Sequence, residues 1–224
     1  MHQKVHPSIL YFGTPVILVS TVNPDGSTNL APFSSVFWLG WRCVLGINAA
    51  SQTARNIRSQ KEAVINLPSA KEVHLVNSLA KTTGADPVPK SKLEKGYTYL
   101  KDKLTQGGFQ TQESETVKAK RISNCPVQLE ARLANAYDLA AEDERQKGAI
   151  QLFEFKITRV YVQEELLTAP NSNKINPDVW KPLIMSFQEF YTLGTKLQHS
   201  TLAEIPEHLY NSLDRKEILE TMTS

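Results

Sequence analysis

The stretch that most limits the fold is 149–164, where LFEFKITRVYV alternates apolar and other side chains with period two. A helix cannot hold that pattern on one face, whereas successive residues of a strand point to opposite sides of a sheet. A second run, 127–138, alternates in the same way through VQLEARL. Further strands are read at 15–22, 28–39, 43–48 and 63–67, the first of them rich in β-branched residues. NPDGS (23–27) links the first two as a hairpin. Pro24 fixes one dihedral and Asp25-Gly26 supplies the left-handed position of a tight turn. The returning strand is expected to break at Ala31-Pro32, because proline gives no amide to a ladder, and to resume at Ser35. Six or more strands joined mostly by turns predict a mainly β fold, a closed or nearly closed antiparallel barrel with helices outside it.

Helices are expected at 49–60, starting near Ser51 or Gln52, and at 70–81, capped by Ser69. A short helix is read within 95–104, and an amphipathic one in the tail at 205–221. Residues 190–195 (FYTLGT) read as an aromatic turn. The least regular part is 82–121, with Pro87, Pro89, Gly107-Gly108 and many lysines. An excursion that long inside a compact domain is usually functional or partner-bound. Neither a repeat nor a domain boundary is visible, so the chain reads as one domain over 1–224. Its barrel core covers 9–195 and a helical tail 196–224.

At 41% hydrophobic and 21% charged residues, the chain can bury a core of ordinary size. A net charge of +2, with no basic run longer than KAKR at 118–121, argues against nucleic acid as the main partner. Cys43 and Cys125 are the only cysteines. Cys43 lies in the apolar run RCVLGI and reads as a core residue, and no pairing between the two follows from sequence. With no signal peptide and no run of membrane-spanning length, the expectation is a cytoplasmic protein without membrane contact.

Two stretches carry polar chemistry beside apolar strands. NLAPFSS holds Asn29, Ala31, Pro32, Phe33, Ser34 and Ser35, a bend that frees backbone amides to meet a planar heterocycle. SQTARNIR (51–58) opens a helix, where unpaired amides and a partial positive charge favour phosphate. Thr53, Asn56, Arg55 and Arg58 add donors there. Each stretch alone is also explained by a structural bulge or an ordinary capped helix. Their closeness, across one strand, points to a mononucleotide site. Rossmann, P-loop, zincin, CxxC and nucleophile-elbow motifs are all missing. The histidines stand singly and read as surface or packing residues.

The combination of GTPVILVST, the Asp-Gly hairpin, NLAPFSS, TARNIR and VINLP resembles the flavin reductase-like family, an FMN-binding split β-barrel of Greek-key type. The likeness continues through ISNCPVQLEARL (122–133) and PLIMSFQEFYTLG (182–194), and is nearest to the flavoredoxin-like branch. The resemblance implies a homodimer with FMN close to the subunit interface. It places the isoalloxazine edge against Asn29, Ala31, Pro32, Phe33, Ser34 and Ser35. The ribityl phosphate falls to Ser51, Thr53 and Asn56, with Asn48 as a neighbour. It further implies an FMN-dependent oxidoreductase using NADH or NADPH, which hands electrons to flavin, to a monooxygenase or to another acceptor. Two alternatives stay open: a flavin-binding electron carrier that makes no use of nicotinamide, and a cofactor-free barrel acting as an interaction module. No catalytic side chain is assigned. Tyr191 is read as a packing residue that also suits stacking or gating. Trp38 and Trp41 depart from the family pattern, adding aromatic bulk expected to narrow the pocket, and the 82–109 insertion with its TTGADPVP run is a second departure.

Overall fold

The computed structural model describes residues 1–223. Its main strands, leaving aside two-residue pieces, are β1 (Ile17–Val22), β2 (Thr28–Phe33), β3 (Val36–Leu39), β4 (Arg42–Asn48), β5 (Glu62–Leu67), β6 (Val127–Asp138), β7 (Ile150–Val162), β8 (Leu183–Ser186) and β9 (Glu189–Thr192). Its helices are α1 (Gln52–Gln60), α2 (Val73–Ser78), α3 (Lys90–Leu93), α4 (Lys103–Gly107) and α5 (Leu213–Thr223). The first seven strands form one antiparallel sheet in the order β2-β1-β5-β6-β7-β4-β3. The two edge strands, β2 and β3, are consecutive in the chain and separated only by Ser34 and Ser35. Two residues span at most about 7 Å, so the sheet must curl until its edges meet. That curl makes a barrel, split where β2 passes into β3.

The alternation in β7 sorts as expected. Phe153, Phe155 and Ile157 face the barrel core with Ile17, Val19, Cys43, Leu45, Ile47 and Ile65, while Leu152, Glu154 and Lys156 are less buried. β1 does not alternate, and the reason is a second core on its other face. Val16 and Leu18 pack there with Leu30, Val76, Leu79, Phe109, Ile122 and Leu183. A strand covered on both sides reads as a continuous apolar run.

The 82–121 excursion lies over that second core and is pinned by buried polar groups of the barrel. The Asn66 Oδ1 accepts from the Ile122 N–H at 2.8 Å. Glu130, fully buried, accepts from the Glu115 and Thr116 N–H groups at 2.9 and 2.7 Å. Glu62 accepts from the Lys118 N–H.

Several expectations shift. Pro32 stays inside β2, paired with Leu18. β2 is an edge strand, so one row of its backbone groups has no ladder partner and a missing amide costs little. The break falls instead at Ser34-Ser35. Of the helix read within 95–104, only Lys103 and Leu104 are helical, as the start of α4; α3 ends before that stretch, and Thr98–Tyr99 is extended. The first half of the aromatic segment at 190–195 is strand, because β9 pairs with β8 around a turn at Phe187-Gln188. In the tail, Ile218 is buried but Leu213 and Leu219 are exposed, so α5 presents no single apolar stripe. It is tied down by ion pairs instead: Asp214 takes a bidentate bond from Arg42, and Lys156 bridges Asp214 and Glu217.

Cys43 and Cys125 are both buried and free. Burial raises the Cys43 thiol to about 12, as expected for a packing residue.

Candidate functional site

A cavity of about 930 Å³ opens along β2 and is lined at one end by Pro32, Phe33, Ser35, Thr14 and Tyr11. Its other end is lined by Asn29, Ser51, Gln52 and Thr53. Asn29 and Phe33 are four residues apart on one strand, so about 13 Å separates the two ends. A pocket of this size suits a drug-sized or mononucleotide ligand.

At the first end the strand break frees backbone. The Ser35 C=O accepts from the Gly46 N–H at 2.9 Å, and the Ser35 hydroxyl donates to the Gly46 C=O at 2.7 Å. Among the described residues, the amides of Ser34 and Ser35 reach no other backbone group. Ser35 lines the cavity, so its amide is the one offered to a planar acceptor edge there. Val36, Phe37, Val44 and Leu152 add an apolar wall beside them.

At the second end α1 starts with Ser51 as its N-cap, the side chain accepting from the Ala54 N–H at 3.2 Å. The Asn48 side chain shapes the entry by accepting from the Ala50 N–H. The amides of Gln52 and Thr53 are then the unpaired first-turn donors of the helix, and both residues line the cavity. Asn29 donates to the Thr53 Oγ1 at 3.0 Å and to the Thr21 Oγ1 at 3.2 Å. With its lone pair engaged, the Thr53 hydroxyl has a proton left for a ligand.

Of the ten residues expected at the site, eight line this cavity: Asn29, Ala31, Pro32, Phe33, Ser35, Asn48, Ser51 and Thr53. Ser34 and Asn56 do not. Asn56 is buried one turn down α1, where it donates to Thr21 and Asn23 and accepts from the Gln52 Nε2 at 2.7 Å. Its geometry fits a brace between the helix tip and β1. The arginines do not line the cavity either. Arg58 turns back to the Ala49 C=O and Gln151, and Arg55 is exposed. Trp38 and Trp41 pack against the barrel core, and the aromatic ring that reaches the cavity from that strand is Phe37.

Positive charge at this end comes from the excursion. Lys92 and Lys103, from α3 and α4, line the cavity together with Thr83, Gly84 and Tyr97. Lys92 donates to the Thr83 Oγ1 at 3.2 Å. Lys103 is 2% exposed. Burial, with Lys92 adding like-charge repulsion, pulls its ammonium down to about 8, and burial also lowers Lys92. Among the described residues no carboxylate pairs with either. Two desolvated cations beside an open helix N-terminus form an anion site. Gly84 lets the loop close on it, since a Cβ there would stand 2.6 Å from the Asn29 Oδ1. Only the irregular character of the excursion hinted at these residues in the sequence. Among the described residues, no group of three or more His, Cys, Asp or Glu suits a metal, and no helix is long and apolar enough to cross a membrane.

The family model described as "Flavin reductase like domain" matches residues 9–194. The chain belongs to the flavin reductase-like family. The chain is similar to the uncharacterized protein YdfE of Bacillus subtilis (strain 168), 31% identical over 195 residues, which cover 87% of this chain and 91% of YdfE. Two solved structures share the fold. Flavoredoxin of Desulfovibrio vulgaris superposes with a TM-score of 0.71 at 19% identity, covering 91% of this chain and all of that one (100%). Nitrilotriacetate monooxygenase component B from Bacillus cereus gives a TM-score of 0.68 at 20% identity, covering 86% and 89%. At such identities the likeness is one of architecture, the split barrel of flavoredoxins and flavin reductases.

Proposed function

We propose that the protein binds FMN in this cavity and works as an oxidoreductase drawing electrons from NADH or NADPH. The observation that carries the proposal is that one cavity joins a ring-sized end with free strand amides to an anion-binding end about 13 Å away. The residues fit the cofactor at both ends. Ser35 would present its amide to the polar edge of the ring, with Pro32 and Phe33 beside it. Ser51, Gln52, Thr53, Lys92 and Lys103 would hold the phosphate, while Asn29, Asn48 and Asn56 keep the helix tip in place. When bound, the flavin supplies the hydride and electron chemistry. The protein binds, orients and tunes. Strand amides at the ring's polar edge favour negative charge there.

The family setting and the likeness to a monooxygenase component favour delivery of electrons to a downstream monooxygenase, to free flavin or to another acceptor. A homodimer fits the surface. Phe37, Leu139 and Ile150 line the cavity yet remain exposed, and Leu39, 73% exposed, extends that apolar face along β3. A second copy seated there would also close the cavity.

The test is anaerobic addition of NADH or NADPH to the flavin-loaded protein, followed by visible absorbance. Bleaching by either supports the oxidoreductase reading. A flavin that stays oxidised with both, but is bleached by a chemical reductant, identifies an electron carrier that does not use nicotinamide.

A further inference from the structure

Tyr11 lines the cavity at the end where the strand break sits, and it stays 49% exposed. It lies in none of the main strands, yet its backbone is held from outside. The Tyr11 C=O accepts from the Phe187 N–H at 2.8 Å, and the Ser186 Oγ reaches it at 3.5 Å. Next in sequence, Phe12 meets Phe187 edge to face, with ring centroids 5.0 Å apart. Thr14 and Pro15 then pair with Met185 and Ile184 of β8.

The device that grips Tyr11 is unusual. Ser186 and Glu189 are paired, so Phe187 and Gln188 make a two-residue hairpin turn. Both have positive φ, 46° and 70°. Such turns favour Asn-Gly, and a bulky ring at positive φ is strained. Strain of this kind persists where surrounding structure over-determines it and is concentrated at functional positions. Here glycine would relieve the backbone but lose the ring that holds Phe12. Tyr191, from the same hairpin, does not line the cavity and is 57% exposed.

We infer that the strained Phe187-Gln188 turn exists to hold Tyr11 as an aromatic cover on the ring end of the cavity, packed against the bound heterocycle. Tyr11 is the contact residue, and Phe187 and Phe12 are positioning residues that act through it. The inference rests on the flavin reading above.

The test compares wild type with Tyr11→Leu, Phe187→Gly and the double variant, each titrated with FMN while flavin fluorescence and the thermal midpoint are recorded. A tyrosine ring stacked on a flavin quenches its emission. Tyr11→Leu is expected to brighten the bound flavin and weaken binding about three- to tenfold, the range for one aromatic pair. Phe187→Gly is expected to do the same with an unchanged or higher thermal midpoint, and the double variant to be no weaker than the weaker single one. Should Phe187→Gly fail to fold, Phe12→Ala removes the same ring contact without touching the turn. Wild-type brightness and affinity in Tyr11→Leu, or in the positioning variant, would overturn the inference. A wild-type protein that binds no FMN would instead count against the flavin reading.

Discussion

At the residue scale, the most informative side chain is Lys103. A buried ammonium facing no carboxylate is costly to the folded protein until an anion arrives. Its folded value of about 8 lies below the ordinary 10.5. Between these values the unfolded chain binds more protons, so without ligand the stability should rise with pH across that window. Flavin affinity should move the other way. The phosphate is already fully ionised above pH 7, so loss of the Lys103 proton removes charge from the site and FMN should bind more weakly as pH passes about 8. Thermal midpoints and dissociation constants measured from pH 7 to 10 check both slopes. Lys103→Met is expected to flatten both and to stabilise the apo protein below pH 8 by up to about 3 kcal/mol. Gly84→Ala is a second residue-scale case. With a Cβ meeting the Asn29 Oδ1 at 2.6 Å, the loop must retreat, and FMN binding should weaken without loss of the barrel. Titration of that variant, with circular dichroism to confirm its fold, gives the answer.

At the element scale, the excursion matters because two of its short helices carry the lysines. Glu130 is what fastens its far part to the barrel. Burial alone would raise this carboxyl. The bonds from Thr116 and Glu115 outweigh that and hold it below the ordinary carboxylate value. A lowered carboxyl stabilises the fold above its unfolded pKa, and that contribution is lost as pH falls through the folded one. Glu130→Ala should cost about 2–4 kcal/mol and speed hydrogen exchange at the amides of 115 and 116, measurable by mass spectrometry. The elements also show what was legible in the sequence. β6, β7 and the NPDGS hairpin were, because period and turn chemistry are local signals. The tip of α1 was, because Ser51 is a local cap. Lys92 and Lys103 were not. Nothing periodic marks α3 or α4, and these residues matter only because Gly84 allows the loop to close on Asn29. Pro32 misled for a related reason: whether proline breaks a strand depends on whether that strand is an edge, which is a property of the whole sheet. Tyr11 was hidden because its place depends on a hairpin some 175 residues later.

At the scale of the whole molecule, curling brings the parts together. β2 and β3 are the two edges of one sheet, and their two-residue junction sits where the ring end opens. β2 then runs like a rail from that junction to the tip of α1. In the proposed flavin complex the spacing between ring and phosphate would be set by a strand, a more rigid ruler than a loop. The outer apolar face around Phe37 and Leu39 continues the same surface outward. Sedimentation of the flavin-loaded protein should show a dimer, and Leu39→Lys, a charge placed on that face, should shift it toward monomer and loosen FMN.

The central claim is that one cavity grips a flavin at its ring and at its phosphate. Its most direct measurement is a calorimetric titration of wild type and Lys103→Met with FMN and with riboflavin, which has the same ring and no phosphate. FMN should bind wild type at least about tenfold more tightly than riboflavin, equivalent to 1.4 kcal/mol, and most of that gap should vanish in Lys103→Met while riboflavin binding stays unchanged. Equal affinities for the two flavins, or no binding of either, would contradict the account.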